Sequence, residues 1–478
     1  MIIFLKRIIE RPLYFLQLEN YELLRYWRLL FKKMTHPGTT VWRQDLVWTA
    51  KMRAVFILSI VFQALAASAI AAATAWWLGL VCFLLFFLFL PIFITLGCII
   101  LWPIDLLFKS IIINRARRKL GDLPELKIVA VAGSYGKTTM KEALDAVLAA
   151  KYKTLVTPEN INTPLGIARL ILKKLDADTH IFIVEMGEYY RGDIRVICRL
   201  VRPDVAVVTG INEAHLERLK NLGTTTATIF EVVENANPNA LVVLNADDVI
   251  VHQKADQFLG GRPAVWYSAR STQPCAFQIV NSSFDPNGGG QQFDILEKEN
   301  LVGHFSVSLL AEYAAGVAVA SLIVGRHFNI EVEKCTRALA VLKSVPHRLQ
   351  LLRSPSDVLV VDDSYNGNPS GVAEAIKVLA KFKDRRKIFL TPGLVEMGLR
   401  SETVHKKIGE ELAEVANLVI LIKNSVTPII AESLIAKGFA KESILWFNTA
   451  PEAHQALATI LKPHDVILFQ NDWGDNYL

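Results

Sequence analysis

The chain has 478 residues, 52% of them hydrophobic, a formal charge of +6 and a mean hydropathy of +0.32. That balance is too apolar for an ordinary soluble enzyme and places part of the chain in lipid. The excess positive charge forms no Lys/Arg stripe interleaved with aromatics, which excludes nucleic acid as a partner and favours a membrane surface. The length accommodates about three domains. Cys82, Cys98, Cys198, Cys275 and Cys335 lie far apart without metal-ligand spacing, as free thiols of a reducing cytosol do.

Residues 1–35 alternate apolar and basic patches, with Leu23, Leu24, Tyr26, Trp27, Leu29, Leu30 and Phe31 set among Arg25, Arg28, Lys32 and Lys33. Two readings suit them: a helix in the lipid headgroup region, or the buried amphipathic helix of a folded domain. No small-residue cleavage site follows, so this is not a signal peptide. Two uncharged stretches come next, about 54–75 and 76–102, each longer than the ~20 residues that cross a bilayer core. Trp76-Trp77 and Gly79 mark the turn between them. Lys51 and Arg53 precede the pair, and Lys109, Arg115, Arg117, Arg118 and Lys119 follow it. Basic flanks at both ends predict a hairpin whose ends face the cytosol, with everything after it on that side.

After Gly121-Asp122-Leu123-Pro124 the pattern becomes one of strands alternating with helices. Ile128–Ala132 is a β-branched apolar run of the kind buried in parallel sheets. Gly133-Ser134-Tyr135-Gly136 breaks it, and Lys137-Thr138-Thr139 opens a helix with Met140, Leu144, Val147 and Leu148 inward. Strand, glycine turn and helix N-terminus together form a phosphate site, to which Lys137 adds a charge and Thr138 a hydroxyl for Mg²⁺. The general pattern asks for glycine at position 131, where this chain has Val131. Further strands are expected at His180–Glu185, Asp204–Ile211 and Ala240–Leu244, so that Glu185 and His215 fall at carboxyl ends, where ligands of doubly wound sheets gather. A carboxylate, an imidazole and a threonine hydroxyl there suit Mg²⁺.

Residues 262–308 read as a small antiparallel sheet and Ala311–Val324 as a small-residue helix. A hinge is expected near Ser344-Val345-Pro346-His347-Arg348, then a strand at Val358–Val361 with Asp362-Asp363-Ser364-Tyr365-Asn366-Gly367-Asn368-Pro369 beyond its end. Lys387–Leu390, Val419–Ile422 and Val466–Phe469 supply later strands; the ending Gln470–Tyr477 receives no role.

Gly-Ser-Tyr-Gly-Lys-Thr-Thr at 133–139, Thr157–Gly166, Val184-Glu185-Met186-Gly187, Asn212–Glu217, Leu244–Asp248 and Asp362–Pro369 resemble the Mur ligases in order and spacing over about residues 127–478. Within that family they most resemble the type that joins D-alanyl-D-alanine to a UDP-N-acetylmuramoyl tripeptide. With the transmembrane hairpin region (1–126) read above, the resemblance implies an α/β fold: a central P-loop doubly wound ATPase domain with a small antiparallel sheet (127–343) and a C-terminal Rossmann-like domain (344–478). It implies ATP and Mg²⁺ as cofactors, activation of a carboxylate as its acyl phosphate, and attack by an amine. Gly133 to Thr139, Arg348 and Asp363 would hold the nucleotide. Lys137, Glu185, His215 and Asp363 would be catalytic, and Thr138, Glu185 and His215 would be metal ligands. Asn160, Asn162 and Thr163 would line the muramyl-peptide side, with Tyr365, Asn366 and Asn368 on the D-alanyl-D-alanine side. The family's carbamate-bearing lysine position is occupied by Ile229, and its His-Asn-x-x-Asn adenine motif by His304-Phe305-Ser306-Val307-Ser308.

A hairpin stands where such enzymes carry a UDP-binding domain. The precursor is therefore either UDP-linked or lipid-linked, with membrane lipid as a further partner and the bacterial inner membrane, cytosolic face, as the location. Two alternatives stay open: a ligase for another carboxylate, such as poly-glutamate, and a nucleotide-binding scaffold of weak activity.

Overall fold

A computed structural model describes residues 2–35, 46–158, 161–212, 219–270, 275–285, 290–365, 367–394, 397 and 400–470. The chain divides into two compact units, one ending at Ile111 and the other beginning at Ile112.

The first unit is helical: α1 (Ile2–Leu18), α2 (Leu23–Thr35), α3 (Ala50–Ala73), α4 (Trp76–Leu85) and the start of α5 (Leu90–Gly121). Thr49 caps α3 by accepting the Met52 amide. Within the stretch expected to form the second span, about 76–102, a 3-10 turn at Phe86–Phe89 separates α4 from α5. Pro91 supplies the reason: lacking an N–H, it fits the first turn of a new helix better than the interior of an old one. Gly79 lets α4 press onto α3, since a Cβ there would lie 2.5 Å from Ala71 Cβ and 2.7 Å from Ala67 O. Part of the apolar face of residues 9–35 is buried, while Leu24 and Phe31 stay exposed. Leu13, Tyr14, Phe15, Leu16, Tyr26 and Leu29 pack with Met52, Val55, Leu90 and Ile94 in one core.

The second unit holds three sheets among the described residues. The first is parallel, in the order β2 (Thr154–Val156), β3 (Ile181–Glu185), β1 (Lys127–Ala132), β4 (Val205–Val208), β5 (Leu241–Asn245), β6 (Ala264–Tyr267). Successive β1 side chains enter opposite cores: Val129 and Val131 pack with Met140, Leu144 and Val147 of α6 (Lys137–Leu148). Ile128, Ala130 and Ala132 face α7 (Pro164–Lys174), α8 (Asp193–Val201) and the helix Leu222–Glu234. Burial on both faces explains the near-continuous apolar strands. β1 is central and the chain leaves β1 and β4 in opposite directions, so the topological switch lies beyond their carboxyl ends.

Ala264–Tyr267, expected in the antiparallel sheet, instead extends the parallel one by pairing with β5. The antiparallel sheet is β7 (Phe277–Asp285), β8 (Gly290–Glu297) and β9 (Asn300–Val307). The small-residue helix runs from Ala314 to His327, three residues later than expected.

The third sheet orders β10 (Gln350–Arg353), β11 (Leu359–Asp363), β15 (Asp465–Gln470), β12 (Arg386–Thr391), β13 (Leu418–Ile422), β14 (Ile444–Phe447). Only the edge pair β10–β11 is antiparallel among its described pairings. Asp362 and Asp363 lie inside β11, opposite Phe469 and Gln470, and not in the following loop. Asp465 opens β15 almost fully buried, accepting from Arg386 Nε at 2.9 Å, Arg386 Nη2 at 2.6 Å and the Lys462 amide at 2.7 Å.

Removing one member of such a forked pair strands the other. Asp465→Ala is expected to lower the stability of the full chain by about 3 kcal/mol, read as a shifted midpoint in chemical denaturation. A loss of under about 0.5 kcal/mol, the ordinary range for a surface change, would show that the pair is not structural.

Candidate functional site

The site begins where β1 stops. Gly133 has φ +147, and a Cβ there would sit 2.2 Å from Thr209 Oγ1 and 2.9 Å from Gly210 O, so only glycine fits. The Ser134 amide donates to Gly210 O at 2.7 Å, and the Thr209 hydroxyl donates to Tyr135 O. The Tyr135 ring lies over Gly210, and its hydroxyl donates to Asp248 Oδ2 at 2.7 Å, which also accepts the Ile211 amide at 3.0 Å. Burial and this carboxylate push the Tyr135 phenol strongly up, so it stays a donor. The glycine loop is thereby clamped to the end of β4.

Gly136, at φ +75, is the N-cap of α6 and brings no side chain to it. The first helical bond runs from the Met140 amide to Gly136 O, so the amides of Lys137, Thr138 and Thr139 stand at the helix's positive end outside the ladder. This is a seat for an anion.

Two carboxylates meet that seat. The Thr138 hydroxyl donates to Glu185 Oε2 at 3.0 Å, both groups being buried. Lys137 Nζ donates to Glu188 Oε1 at 2.9 Å, to Glu188 Oε2 at 2.8 Å and to Gly133 O. One turn along α6, Lys141 is fully buried; its Nζ donates to Thr157 O at 2.8 Å and lies 3.5 Å from Glu185 Oε2. Thr157 Oγ1 in turn accepts the Glu185 amide at 2.9 Å. Sequence reading missed Glu188 and Lys141. Their signals were the third residue past Glu185 and the i+4 position from Lys137. The oxygen donors of Thr138 and Glu185 fit Mg²⁺, a hard cation. His215 and Asn160 lie outside the described residues.

Asn162 lies beside this cluster, its carbonyl accepting the Gly187 amide at 2.9 Å. Thr163 caps α7 by accepting the Gly166 amide. Ile229 is fully buried in the apolar core behind the sheet. His304 is on β9, its Nδ1 paired with Asp294 Oδ1.

The C-terminal sheet supplies the other side. Asn212, just past β4, donates through Nδ2 to Asn368 Oδ1 at 2.9 Å and to Ser370 Oγ at 3.3 Å. Asn368 also caps the helix Pro369–Ala380 by accepting the Gly371 amide. The Tyr313 phenol, pushed up to about 12 by burial, meets the Thr139 side chain and feels the charges of Asp363 and Arg348. Arg348 lies over the Tyr365 ring, 4.8 Å from its centroid. Asp363 Oδ1 accepts the Leu349 amide at 3.2 Å, and desolvation raises its carboxyl to about 7. The structure thus brings residues 133–139, Asn162 and Glu185 together, and gathers Arg348, Asp363, Tyr365 and Asn368 on the facing lobe. Asn366 lies outside the described residues. His405, buried, takes the Leu394 amide on Nε2 and meets Ser401 O through Nδ1, a structural role. Such an arrangement can hold a polyphosphate and a hard cation on one lobe and present a second group from the other.

Comparison with known proteins places this fold among the Mur ligases. Residues 131–325 match the Mur ligase middle domain, and residues 347–470 match the Mur ligase glutamate ligase domain. The UDP-N-acetylmuramoyl-tripeptide–D-alanyl-D-alanine ligase of Bacillus subtilis is 26% identical over 349 residues, 73% of each chain. The enzyme of the same name from Escherichia coli is 27% identical over 317 residues, 64% of this chain and 68% of that one. Among solved structures, the MurF ligase of Thermotoga maritima in complex with ADP is 28% identical, with TM-score 0.66, covering 76% of this chain and 80% of that one. MurF of Acinetobacter baumannii, at 20% identity and TM-score 0.66 over 76% of this chain and 77% of that one, shares the fold.

A carboxyl raised from its ordinary 3.8 to about 7 favours the folded state while protonated, and that contribution is lost as pH rises through about 7. Asp363→Asn is therefore expected to unfold at the parent's temperature near pH 4 and increasingly above it toward about pH 8. A thermal-unfolding series across pH checks this; a constant difference between the two proteins would refute it.

Proposed function

We propose, on the premise that this chain belongs to the Mur ligase family, that it is an ATP-dependent ligase that activates a carboxylate as its acyl phosphate and joins it to an amine. The pair we assign is a muramyl-tripeptide precursor and D-alanyl-D-alanine, the substrates named for the Bacillus and Escherichia relatives. The observation that carries the reading is the 3.0 Å contact of the Thr138 hydroxyl with Glu185, at the mouth of a helix N-terminus capped only by Gly136.

A carboxylate resists nucleophiles, and its charge repels the terminal phosphate it must attack, so the site has to cancel charge while it orients the reactants. In this reading residues 133–139 seat the phosphates, and Lys137 reaches the outer two. Thr138 and Glu185 hold Mg²⁺, with His215 as a further ligand; the ion when bound neutralises phosphate charge. Asn160, Asn162 and Thr163 line the acyl side. Asp363 and Arg348 approach the nucleotide from the facing lobe, where Tyr365, Asn366 and Asn368 shape the dipeptide's place.

The reading also includes a membrane anchor. Ala50–Ala73 and Trp76–Gly121 are long and apolar enough to cross a bilayer, and few of their residues are buried, unlike those of a soluble core helix. Ile57, Leu65, Leu84 and Phe108 are exposed. Lys51 and Arg53 at one end and Arg115, Arg117 and Arg118 at the other suit an arrangement with both ends cytosolic. Such an anchor would concentrate the enzyme where a membrane-linked precursor lies. One observation favours a second reading, a nucleotide-binding scaffold: the buried, apolar Ile229.

Detergent-solubilised protein given ATP, Mg²⁺, D-alanyl-D-alanine and either a UDP-linked or a lipid-linked muramyl tripeptide is expected to release phosphate only with acid and amine both present. Mass analysis identifies the ligated product. Lys137→Ala is expected to cut the rate at least ~100-fold, the scale of losing a charged group that stabilises a transition state. ATP binding without acid- and amine-dependent phosphate release would establish the scaffold instead.

A further inference from the structure

We infer that Glu188 is a positioning residue that withholds Lys137 from the nucleotide and so sets the affinity for ATP, an inference resting on the ligase reading above. An ammonium group has three donors. Here Gly133 O, Glu188 Oε1 and Glu188 Oε2 take all three, the two carboxylate oxygens at 2.9 and 2.8 Å. The pair is shielded from water: the Lys137 side chain is 13% exposed and that of Glu188 2%.

The backbone holds the carboxylate in place. Glu188 follows Gly187, whose amide bonds Asn162 O and where a Cβ would lie 2.9 Å from Asn162. The loop after β3 therefore cannot drift without moving the Asn162 loop as well. Phosphates seated on the α6 N-terminus compete with Glu188 for the same ammonium. When Lys137 turns to them, Glu188 is left buried, unpaired and facing like charge, with Glu185 adding to the repulsion. Burial already holds the Glu188 carboxyl above the usual carboxylate range. The phosphate seat thus binds more weakly than its amides and lysine would by themselves, and Lys137 is delivered only when a polyphosphate outcompetes an internal anion.

The test is calorimetric titration of ATP with Mg²⁺ into the detergent-solubilised full chain and its variants. Glu188→Gln keeps the shape and removes the charge, and is expected to tighten ATP binding about tenfold, the scale of a hydrogen-bonded charge. Glu188→Asp keeps the charge and is expected to bind as the parent does. The KM for the amine partner is expected to stay unchanged in Glu188→Gln, which a general loosening of the site would not allow. The inference is overturned if Glu188→Gln binds ATP no more tightly than the parent, if Glu188→Asp gains as much as Glu188→Gln, or if no variant binds ATP. Failure of the ligase reading looks different: ATP binds with these same differences, but phosphate release does not depend on acid and amine.

Discussion

The hydrogen bond from the Thr138 hydroxyl to Glu185 ties the start of α6 to the carboxyl end of the neighbouring strand β3, and the rest of the candidate site is arranged on that edge of the sheet. Glu185 closes β3 with its carboxylate in the protein interior, opposite Val131 of β1. A buried carboxylate must be met by donors or cations. Thr138 supplies a hydroxyl, Lys141 an ammonium, and Thr157 holds the Glu185 backbone. These demands fix where α6 begins and how it is rotated about its axis. The glycine turn, with its amides outside the helix ladder, is the short link that this rotation leaves.

From that anchor the neighbouring loops become mutually dependent. The turn after β4 clamps the glycine loop through Thr209, Gly210 and Asp248, while Lys141 ties the loop after β2 to the same helix. Asn212 and Tyr313 then extend the constraint to the C-terminal sheet, one meeting Asn368 and the other standing between Thr139 and Asp363. Polar groups at the mouth of a parallel sheet have few alternatives. The strands are buried on both faces, so chemistry collects beyond their carboxyl ends.

The helical unit follows different physics. Asp105 receives Lys51 at 2.9 Å and Lys109 at 2.7 Å, and Glu19 receives Arg25 at 2.6 Å. Elsewhere its long helices expose Ile, Leu, Phe and Trp side chains, while small residues such as Gly79 and Gly97 set the helix contacts.

Local signals carried the parallel strands, the glycine turn, the inward face of α6 and the placement of Glu185 at a strand end, because each depends on residues a few positions apart. Periodicity alone put Met140, Leu144, Val147 and Leu148 inside, and there they lie. Strand partnership was not legible in the same way. Ala264–Tyr267 has the same texture whether it joins an antiparallel sheet or extends β5, and only the free edge of β5 decides. The same holds for Asp362 and Asp363, which look like loop residues until β10 and β15 pair across them. Glu188 and Lys141 read as ordinary surface charges, since what buries them comes from segments far away in the chain. Sequence by itself determined the kinds of element and the chemistry at their ends; which charges face one another was decided only by the fold, because electrostatic partnership depends on distance through space, and burial magnifies it.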